Sequence, residues 1–241
     1  MRTVDDLQYN GLKIIQDRDG FRFGMDAVLL ANLAPVNGVK KALDLGCGNG
    51  IVPILLAGKR GVEEVFGIDI NEKEVEMAKE SVKINGLSGV KIIAGDLRNI
   101  QDYFEYESFD LVTANPPYLR VQTGDMSPNP MRAAARHEIY CTLKDVLNAA
   151  FKVLRSGGSL FMVHRTERLA EVLGECRNSR LEPKSLYMVY PRINDRPNLF
   201  LVRCVKCGSP DMIVERPIII YNSEGNYTEE YLRIYYGGEG D

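Results

Sequence analysis

The most informative chemical feature of the sequence is the tetrapeptide Asn115-Pro116-Pro117-Tyr118. An exocyclic amine on an aromatic ring is a poor nucleophile because its lone pair is delocalised into the ring. The Asn115 side-chain oxygen and the Pro116 carbonyl can accept both hydrogens of such an amine and return electron density to nitrogen. The Tyr118 ring offers a surface on which a base can stack. We predict that these four residues are catalytic; an ordinary turn is the alternative, because Asn and Pro favour turns.

A glycine-rich turn, DLGCGNG, spans residues 44–50. Glycines between a strand and a helix let the backbone approach a nucleotide-like ligand closely. The glycines run G-x-G-x-G, whereas dinucleotide-binding dehydrogenases need G-x-G-x-x-G. The acid before the first glycine, Asp44, repels a pyrophosphate and attracts a cation. This favours S-adenosylmethionine, which carries an ammonium and a sulfonium group, over NAD. We therefore expect this methyl donor to contact Asp44, Gly46, Cys47, Gly48 and Gly50.

Two more acids follow the next two predicted strands. Asp69 comes about twenty residues after the glycines, where a carboxylate can accept the ribose hydroxyls of a bound nucleoside. Asp96 ends the following strand, where it can meet the adenine edge. A single such acid is more often a helix cap, but acids at successive strand ends lie at the edge where α/β sheets bind ligands. The predicted cofactor site is completed by Ile70, Leu97 and Asn115.

Basic residues after the Asn-Pro-Pro-Tyr turn are candidates for contacts to a nucleic acid. Residues 119–138 lack apolar periodicity, and long irregular insertions in compact domains are usually functional. Arginines four apart share one helical face and can grip neighbouring phosphates; a solvated helix start paired with Glu138 is the alternative. The predicted RNA-binding residues are Arg120, Arg132, Arg136, His137, Arg192 and Arg196.

The elements that position these residues alternate along the chain. From residue 41, short β-rich runs alternate with segments of helical period, which predicts a doubly wound, Rossmann-like α/β fold with a mostly parallel, seven-stranded sheet. Three β-rich runs after residue 180 have no helix between them, so we expect antiparallel pairing and a final hairpin. Residues 71–85 are predicted to form a crossover helix. The N-terminal stretch predicts a hairpin and an amphipathic helix capped by Asp26, and residues 226–236 a terminal helix with tyrosines on the core.

Length and composition set broader bounds. The chain has 241 residues, of which 45% are apolar and 26% charged, so we expect one domain over residues 1–241. It would comprise an N-terminal extension (1–40), a catalytic core (41–207) and a C-terminal strand and helix (208–241). The net charge of −3 excludes a global basic field, so any RNA contact is local. Five scattered cysteines and the absence of a leader or apolar span indicate a cytoplasmic protein without membrane, metal or disulfides, and we favour a monomer.

The sequence resembles the bacterial tRNA(Val) adenine-N6 methyltransferases, which modify the purine beside the anticodon. The resemblance covers nearly the whole chain, through Gln16 followed by GFRFGMDAVLLA, then DLGCGNG, NPPY, RAAARHE and the final NYTEEY. It implies N6-methylation of adenine 37 in tRNA(Val). It also implies that the methyl donor is held by Asp44, Gly46, Gly48, Asp69 and Asp96, and the target amine by residues 115–118.

Other functions share parts of this pattern. Methyltransferases acting on a glutamine side chain of release factors have the same paired motifs but usually carry a sizeable helical domain first. Guanine-N2 methyltransferases of ribosomal RNA tend to have Phe in the place of Tyr118, and DNA adenine methyltransferases need a recognition domain. Outside this class, a dehydrogenase lacks support from the glycine spacing, and a silent adaptor lacks the degenerate catalytic residues expected of it. Glutamine or ribosomal RNA methylation remain the alternatives.

Overall fold

The computed structural model describes residues 2–17, 24–116 and 141–236. The strands are β1 (Arg2–Asp6), β2 (Lys13–Asp17), β3 (Lys41–Leu45), β4 (Glu64–Asp69), β5 (Val90–Ala94), β6 (Phe109–Ala114), β7 (Leu154–Arg165), β8 (Leu181–Tyr190), β9 (Leu199–Lys206), β10 (Ile213–Val214) and β11 (Ile218–Ile219). The helices are α1 (Met25–Leu33), α2 (Ile51–Gly58), α3 (Glu72–Ile84), α4 (Leu143–Val153), α5 (Leu169–Asn178) and α6 (Glu229–Tyr236). Single 3-10 helices cover Leu97–Asp102 and Thr166–Arg168.

The central sheet has the strand order β5-β4-β3-β6-β7-β9-β8. The first five of these strands are parallel, while β9 runs antiparallel to both β7 and β8. These seven strands form the predicted doubly wound, mostly parallel sheet with an antiparallel hairpin. The predicted strand count is too low, because two short strands, β10 and β11, extend the sheet to nine at the edge of β8. Because β3 lies beside both β4 and β6, the strand order reverses there. A topological switch point of this kind opens a crevice at the carboxyl ends of the strands.

The last β-rich run pairs differently from the prediction. Both β10 and β11 pair with β8 in parallel, not antiparallel. The reason is that β9 already pairs with β7 on one side and with β8 on the other. The next strand can therefore pair only with the free edge of β8. Lys206 at the end of β9 lies opposite Leu181 at the start of β8. The next strand therefore begins at the same end as β8 and runs in its direction.

Helices cover both faces of the sheet. On one face, α1, α2, α3 and α6 share a core with alternate strand residues such as Ala42 and Leu111. On the other face, α4 and α5 pack with the intervening residues, such as Leu43 and Val112. This alternation follows from the two-residue period of a strand, and apolar residues on both sides are typical of parallel strands buried between helices.

The N-terminal prediction needs two corrections. Helix α1 begins at Met25 and its N-cap is Gly24, so Asp26 lies inside the first turn, where its Oδ1 accepts the Ala27 N–H at 2.9 Å. The helix is also not amphipathic, because residues 27–32 are all buried. It packs against α2, α6 and β7, and because these elements surround it on several sides, little of its surface is exposed to solvent. The hairpin joins β1 to β2; the predicted hairpin in residues 11–23 falls partly outside the described residues.

The segments on either side of the core pack onto it. The Ser81 and Asn85 side chains of α3 accept the N–H groups of Ile15 and Lys13 on β2, at 2.9 and 2.8 Å. The predicted crossover helix is confirmed as α3 with Asn71 as its cap, and the terminal helix as α6 with Tyr231 buried. The division into one domain with three segments stays a prediction. Within the described ranges, every helix is too short or too polar to cross a bilayer.

Candidate active site

The glycine-rich turn joins β3 to α2 through three left-handed residues. The φ angles of these residues, Gly46, Gly48 and Gly50, are 71°, 50° and 86°, and residues with a Cβ rarely adopt such values. A Cβ on Gly50 would lie 2.9 Å from the Ala78 Cβ, so this glycine lets α2 approach α3. A Cβ on Gly46 or Gly48 would meet no described atom within 4 Å. These two glycines therefore face open space, as a backbone that cradles a ligand must.

The turn is tied to the end of β4. The N–H groups of Gly46 and Cys47 both donate to the Ile68 carbonyl, at 2.9 and 3.1 Å. The Gly48 N–H donates to Asp69 Oδ2 at 2.8 Å, and the other oxygen of that carboxylate accepts the Asn71 N–H at 2.8 Å. Asp69 thus shapes the turn directly, in addition to its predicted ribose contact. Ile70, which follows it, is 43% exposed and offers an apolar surface beside the crevice.

Asp44 lies beneath the turn and is only 3% exposed. Its Oδ1 accepts a hydrogen bond of 2.6 Å from the Thr113 hydroxyl on β6. Burial raises the pKa of Asp44 to about 7; the Thr113 hydrogen bond opposes this rise and the Asp69 charge adds to it. A nearby cation would favour the ionised form. The site is thus electrostatically suited to a positively charged ligand.

Cys47 was predicted to contact the cofactor, and its position allows this only through the backbone. Its side chain is buried against β4, where a Cβ on Gly67 would come within 2.8 Å of the Cys47 Sγ. Burial, with the charges of Asp69 and Asp44, raises the pKa of this thiol well above its ordinary value. A protonated, buried thiol fills space and has no nucleophilic character.

Glu74 is a further acidic residue near Asp69 that the sequence pattern did not predict as part of the candidate site. It lies half-buried in the first turn of α3, and burial, together with the charges of Asp69 and Asp17, raises its pKa to about 7. Asp17 ends β2, so the N-terminal hairpin brings a further acid to the same place. Acids in a first helical turn are common for helix stability alone, so nothing in the sequence distinguishes Glu74. Only the packing shows this concentration of negative charge.

Asp96 has a more restricted environment than predicted. It caps the 3-10 helix by accepting the Arg98 N–H at 2.9 Å, and the Arg98 guanidinium binds both of its oxygens at 2.5–3.0 Å. The Arg98 hydrogen bonds hold the pKa of Asp96 below its ordinary value. The carboxylate is therefore ionised, but it shares its acceptor sites with a neighbouring arginine. Leu97 is half-buried beside it.

Asn115 and Pro116 directly follow β6 at the switch point. Ala114 pairs with Leu45 of β3, so Asn115 and Gly46 are the next residues on two adjacent strands. Adjacent strands lie about 4.8 Å apart, which places the two motifs side by side. Asn115 is half-buried and Pro116 is buried. The remaining predicted residues in this part of the chain lie outside the described ranges: Pro117, Tyr118, Arg120, Arg132, Arg136 and His137.

Arg192 and Arg196 lie in the connection from β8 to β9, and both are exposed. Leu199 at the start of β9 pairs with Arg165 at the end of β7. The connection thus lies at the same edge of the sheet as Asn115. Cys204 and Cys207 do not reach this edge, because Cys204 is buried in β9 and Cys207 is exposed beyond the far end of that strand. Among the described residues, no group of His, Cys, Asp and Glu side chains has the arrangement of a metal site.

The comparisons with known proteins agree with this architecture. The profile of a methyltransferase domain family matches residues 37–200, about two thirds of the chain. Similar proteins include a tRNA1(Val) (adenine(37)-N6)-methyltransferase of Aeromonas hydrophila, 24% identical over 90% of both chains. One of the same name from Porphyromonas gingivalis is 26% identical over 96% of this chain and 93% of its own.

Solved structures share the fold. A predicted O-methyltransferase from Agrobacterium tumefaciens has a TM-score of 0.71 and 22% identity, covering 88% of this chain and 95% of its own. A geranyl diphosphate C-methyltransferase from Streptomyces coelicolor has a TM-score of 0.52 and 10% identity, covering 69% of this chain and 72% of its own. The predicted fold is confirmed. The chain belongs to the methyltransferase domain family, and S-adenosylmethionine is its methyl donor.

Proposed function

We propose that this enzyme methylates N6 of an adenine in tRNA, and that the base is adenine 37 of tRNA(Val). The observation that carries the proposal is the adjacency of Asn115-Pro116 to the glycine-rich turn, through the pairing of Ala114 with Leu45. Two acceptors for an amine would then lie beside the backbone that would hold the methyl donor. The relatives named as tRNA adenine-N6 methyltransferases support the choice of substrate.

The residues around the turn fit S-adenosylmethionine. We propose that the open space before Gly46 and Gly48 receives its methionyl part, because a side chain there would fill that space. The carboxylates of Asp44, Asp69 and Glu74 favour a ligand with positive charge. Further along the edge, Ile70 and Leu97 would flank the adenine ring and Asp96 its amino group, while Gly50 keeps the turn in place. When bound, the donor supplies a methyl group on a positively charged sulfur, which makes that carbon electrophilic.

The chain's own contribution to the reaction is positioning. In the proposed complex, the Asn115 side-chain oxygen and the Pro116 carbonyl accept the two N6 hydrogens, so that the lone pair is directed at the methyl carbon. The new N–C bond would form as the S–C bond breaks, and the electron pair of the S–C bond would stay on sulfur. The surplus proton on nitrogen passes to solvent. Pro117 would stiffen this turn, and Tyr118 would stack on the base.

Methyl transfer to defined substrates tests this proposal. Purified enzyme with isotopically labelled S-adenosylmethionine should label tRNA(Val) and leave a release factor and ribosomal RNA unlabelled. Nucleoside mass spectrometry of the product should show N6-methyladenosine. A tRNA(Val) transcript with guanosine at position 37 is the matched control and should remain unlabelled. Labelling of a glutamine or of ribosomal RNA alone would reject the proposal.

A further inference from the structure

The connection between β8 and β9, residues 191–198, lies within reach of the active site. The Thr166 hydroxyl at the end of β7 donates to the Pro197 carbonyl at 2.8 Å, which fixes the connection to the carboxyl edge of the sheet. In the sheet, β9 is two strand spacings from β6 and β8 is three, which amount to roughly 10 and 14 Å. An RNA strand whose target base lies at Asn115 can therefore contact this connection with a nearby nucleotide.

Three tyrosine rings form a row behind this connection. Tyr231 of α6 is buried; its ring centroid lies 4.8 Å from that of Tyr227, which in turn lies 5.2 Å from that of Tyr221 with the planes 21° apart. The Tyr221 N–H donates to the Pro191 carbonyl at 2.8 Å, and Tyr221 and Tyr227 form an isolated bridge. The row is therefore anchored in the core at Tyr231 and reaches the surface at Tyr227, which is 47% exposed.

Arg192 extends the row. Its guanidinium carbon lies 5.9 Å from the Tyr221 ring centroid, within the range of a cation–π contact. Its side chain is 56% exposed, and its ion pair with Asp195, at 3.7 Å, is also exposed. Such pairs contribute little, so Asp195 can give way to a ligand. A guanidinium held by an aromatic ring is pre-organised, because less side-chain entropy is lost when it binds.

An unpaired nucleotide has the chemistry that this surface would recognise. Nucleobases stack on tyrosine rings and on the guanidinium plane of arginine, and arginine also binds phosphate. Glu224, Glu229 and Glu230 lie nearby in the sequence and are exposed, so the surface is not a general basic patch. It would discriminate against anionic polymers that lack a base to stack. This favours a single RNA nucleotide over a membrane surface or a duplex backbone.

We propose that Arg192 and the row of Tyr221, Tyr227 and Tyr231 hold an unpaired nucleotide near the methylated base. The proposal rests on RNA being the substrate, as proposed above. Arg192 and the exposed part of Tyr227 would contact the nucleotide. Tyr221 and Tyr231 are positioning residues that act through Arg192 and Tyr227.

Binding of a fluorescein-labelled anticodon stem-loop of tRNA(Val), followed by fluorescence anisotropy, tests the proposal. Tyr221→Leu and Arg192→Ala should each weaken binding about fivefold or more, since a stacking contact contributes roughly 1–3 kcal/mol. Tyr221→Phe keeps the ring and should bind within about twofold of wild type. Arg192→Lys keeps the charge without the planar group and should still bind about fivefold more weakly. If Arg192→Lys bound the stem-loop as tightly as wild type does, the proposal that the guanidinium plane of Arg192 stacks on a base would be rejected.

Controls separate this proposal from the proposed function. Arg233→Ala removes an exposed arginine of α6 from outside the row and should bind RNA as wild type does. S-adenosylmethionine affinity, measured by calorimetry, should stay unchanged in every variant, which shows that each is folded. In turnover with the full tRNA, the Arg192 variants should raise KM and keep kcat. If they leave RNA binding unchanged while the wild type methylates adenine, the nucleotide surface is rejected and the proposed function stands; if the wild type methylates no RNA, the proposed function itself fails.

Discussion

Two regions at the same edge of the sheet differ in almost every physical respect. Around the glycine-rich turn, Asp44, Asp69 and Glu74 concentrate negative charge in a partly buried crevice. Around the β8–β9 connection, Arg192 and the tyrosine row present an exposed cation and aromatic rings. The first suits a small cationic cofactor and the second a nucleotide of an anionic polymer. A net charge of −3 conceals this separation, so charge on this chain is informative only locally.

The largest expected effect comes from the residue between the two regions. Asn115→Ala should lower kcat about 100- to 1000-fold, as expected for losing a pre-organised polar contact that is made in the transition state. Affinity for S-adenosylmethionine should stay near wild type. Asn178→Ala, which removes an exposed amide at the end of α5, is the control and should keep full activity. An unchanged kcat in Asn115→Ala would exclude this side chain from the reaction.

The acidic region should make the stability of the protein without ligand depend on pH. Burial raises the folded-state pKa of Asp44 from 3.8 to about 7, so the folded state binds the proton more tightly than the unfolded state does. Stability from this group is therefore present at low pH and lost as pH rises from about 4 through about 7. Between about pH 5 and pH 8 we expect Asp44 to account for a loss of about 2–3 kcal/mol, seen as the difference in pH dependence between wild type and Asp44→Asn.

Urea denaturation at these two pH values measures the effect. Asp44→Asn should remove the share of the pH dependence that belongs to Asp44. It should leave the share of Glu74, whose pKa is also raised, and that of His164, whose pKa burial lowers to about 4. Asp195→Asn, at an exposed position, should behave as wild type. Saturating S-adenosylmethionine should reduce the loss, because a bound cation favours the ionised carboxylates. A pH dependence of stability that is the same in Asp44→Asn as in wild type would contradict the electrostatic description of the crevice.

Two glycines at opposite ends of β3 allow the effect of backbone strain to be separated from the effect on ligand binding. Gly46 and Gly38 have φ angles of 71° and 74°, and a Cβ on either would meet no described atom within 4 Å. Alanine at each position should therefore cost a similar amount of stability, about 1–2 kcal/mol. Gly46→Ala should also weaken S-adenosylmethionine binding about tenfold or more, measured by calorimetry, and Gly38→Ala should not. Equal affinities of the two variants for S-adenosylmethionine would show that the cofactor does not contact Gly46.

The smallest effect is expected at the edge of the second region. If Arg196 contacts one phosphate, Arg196→Ala should reduce the slope of log Kd against log salt for stem-loop binding by about 0.7. The affinity itself should fall only about two- to threefold at moderate salt. Binding of S-adenosylmethionine should depend little on salt in wild type and in the variant. An unchanged RNA slope would place Arg196 away from the backbone of the RNA.

The sequence predicted the layout of the sheet more reliably than its last strands. Alternating segments with two- and 3.6-residue periods indicated parallel strands and crossover helices, and α3 was predicted to within one residue of each end. The parallel pairing of β10 and β11 with β8 was missed, because which edge is free depends on the neighbours of β9. Helix α1 was predicted to be amphipathic, but it is buried on all sides over residues 27–32. The sequence did not indicate this burial, because the neighbours of α1 include α6 and β7, which are distant in sequence.

Residue types and local spacing alone determined the glycine-rich turn, the acids at or just after the ends of β4 and β5, and the Asn-Pro turn after β6. Each of these depends on backbone freedom or side-chain chemistry within a few residues. Only the tertiary structure decided that Asp44 is buried against Thr113, that Glu74 and Asp17 join Asp69, and that Arg192 lies over a tyrosine from beyond β11. Burial and long-range electrostatics depend on groups brought together from distant parts of the chain. Those groups have no fixed spacing in the sequence, so only the folded packing reveals them.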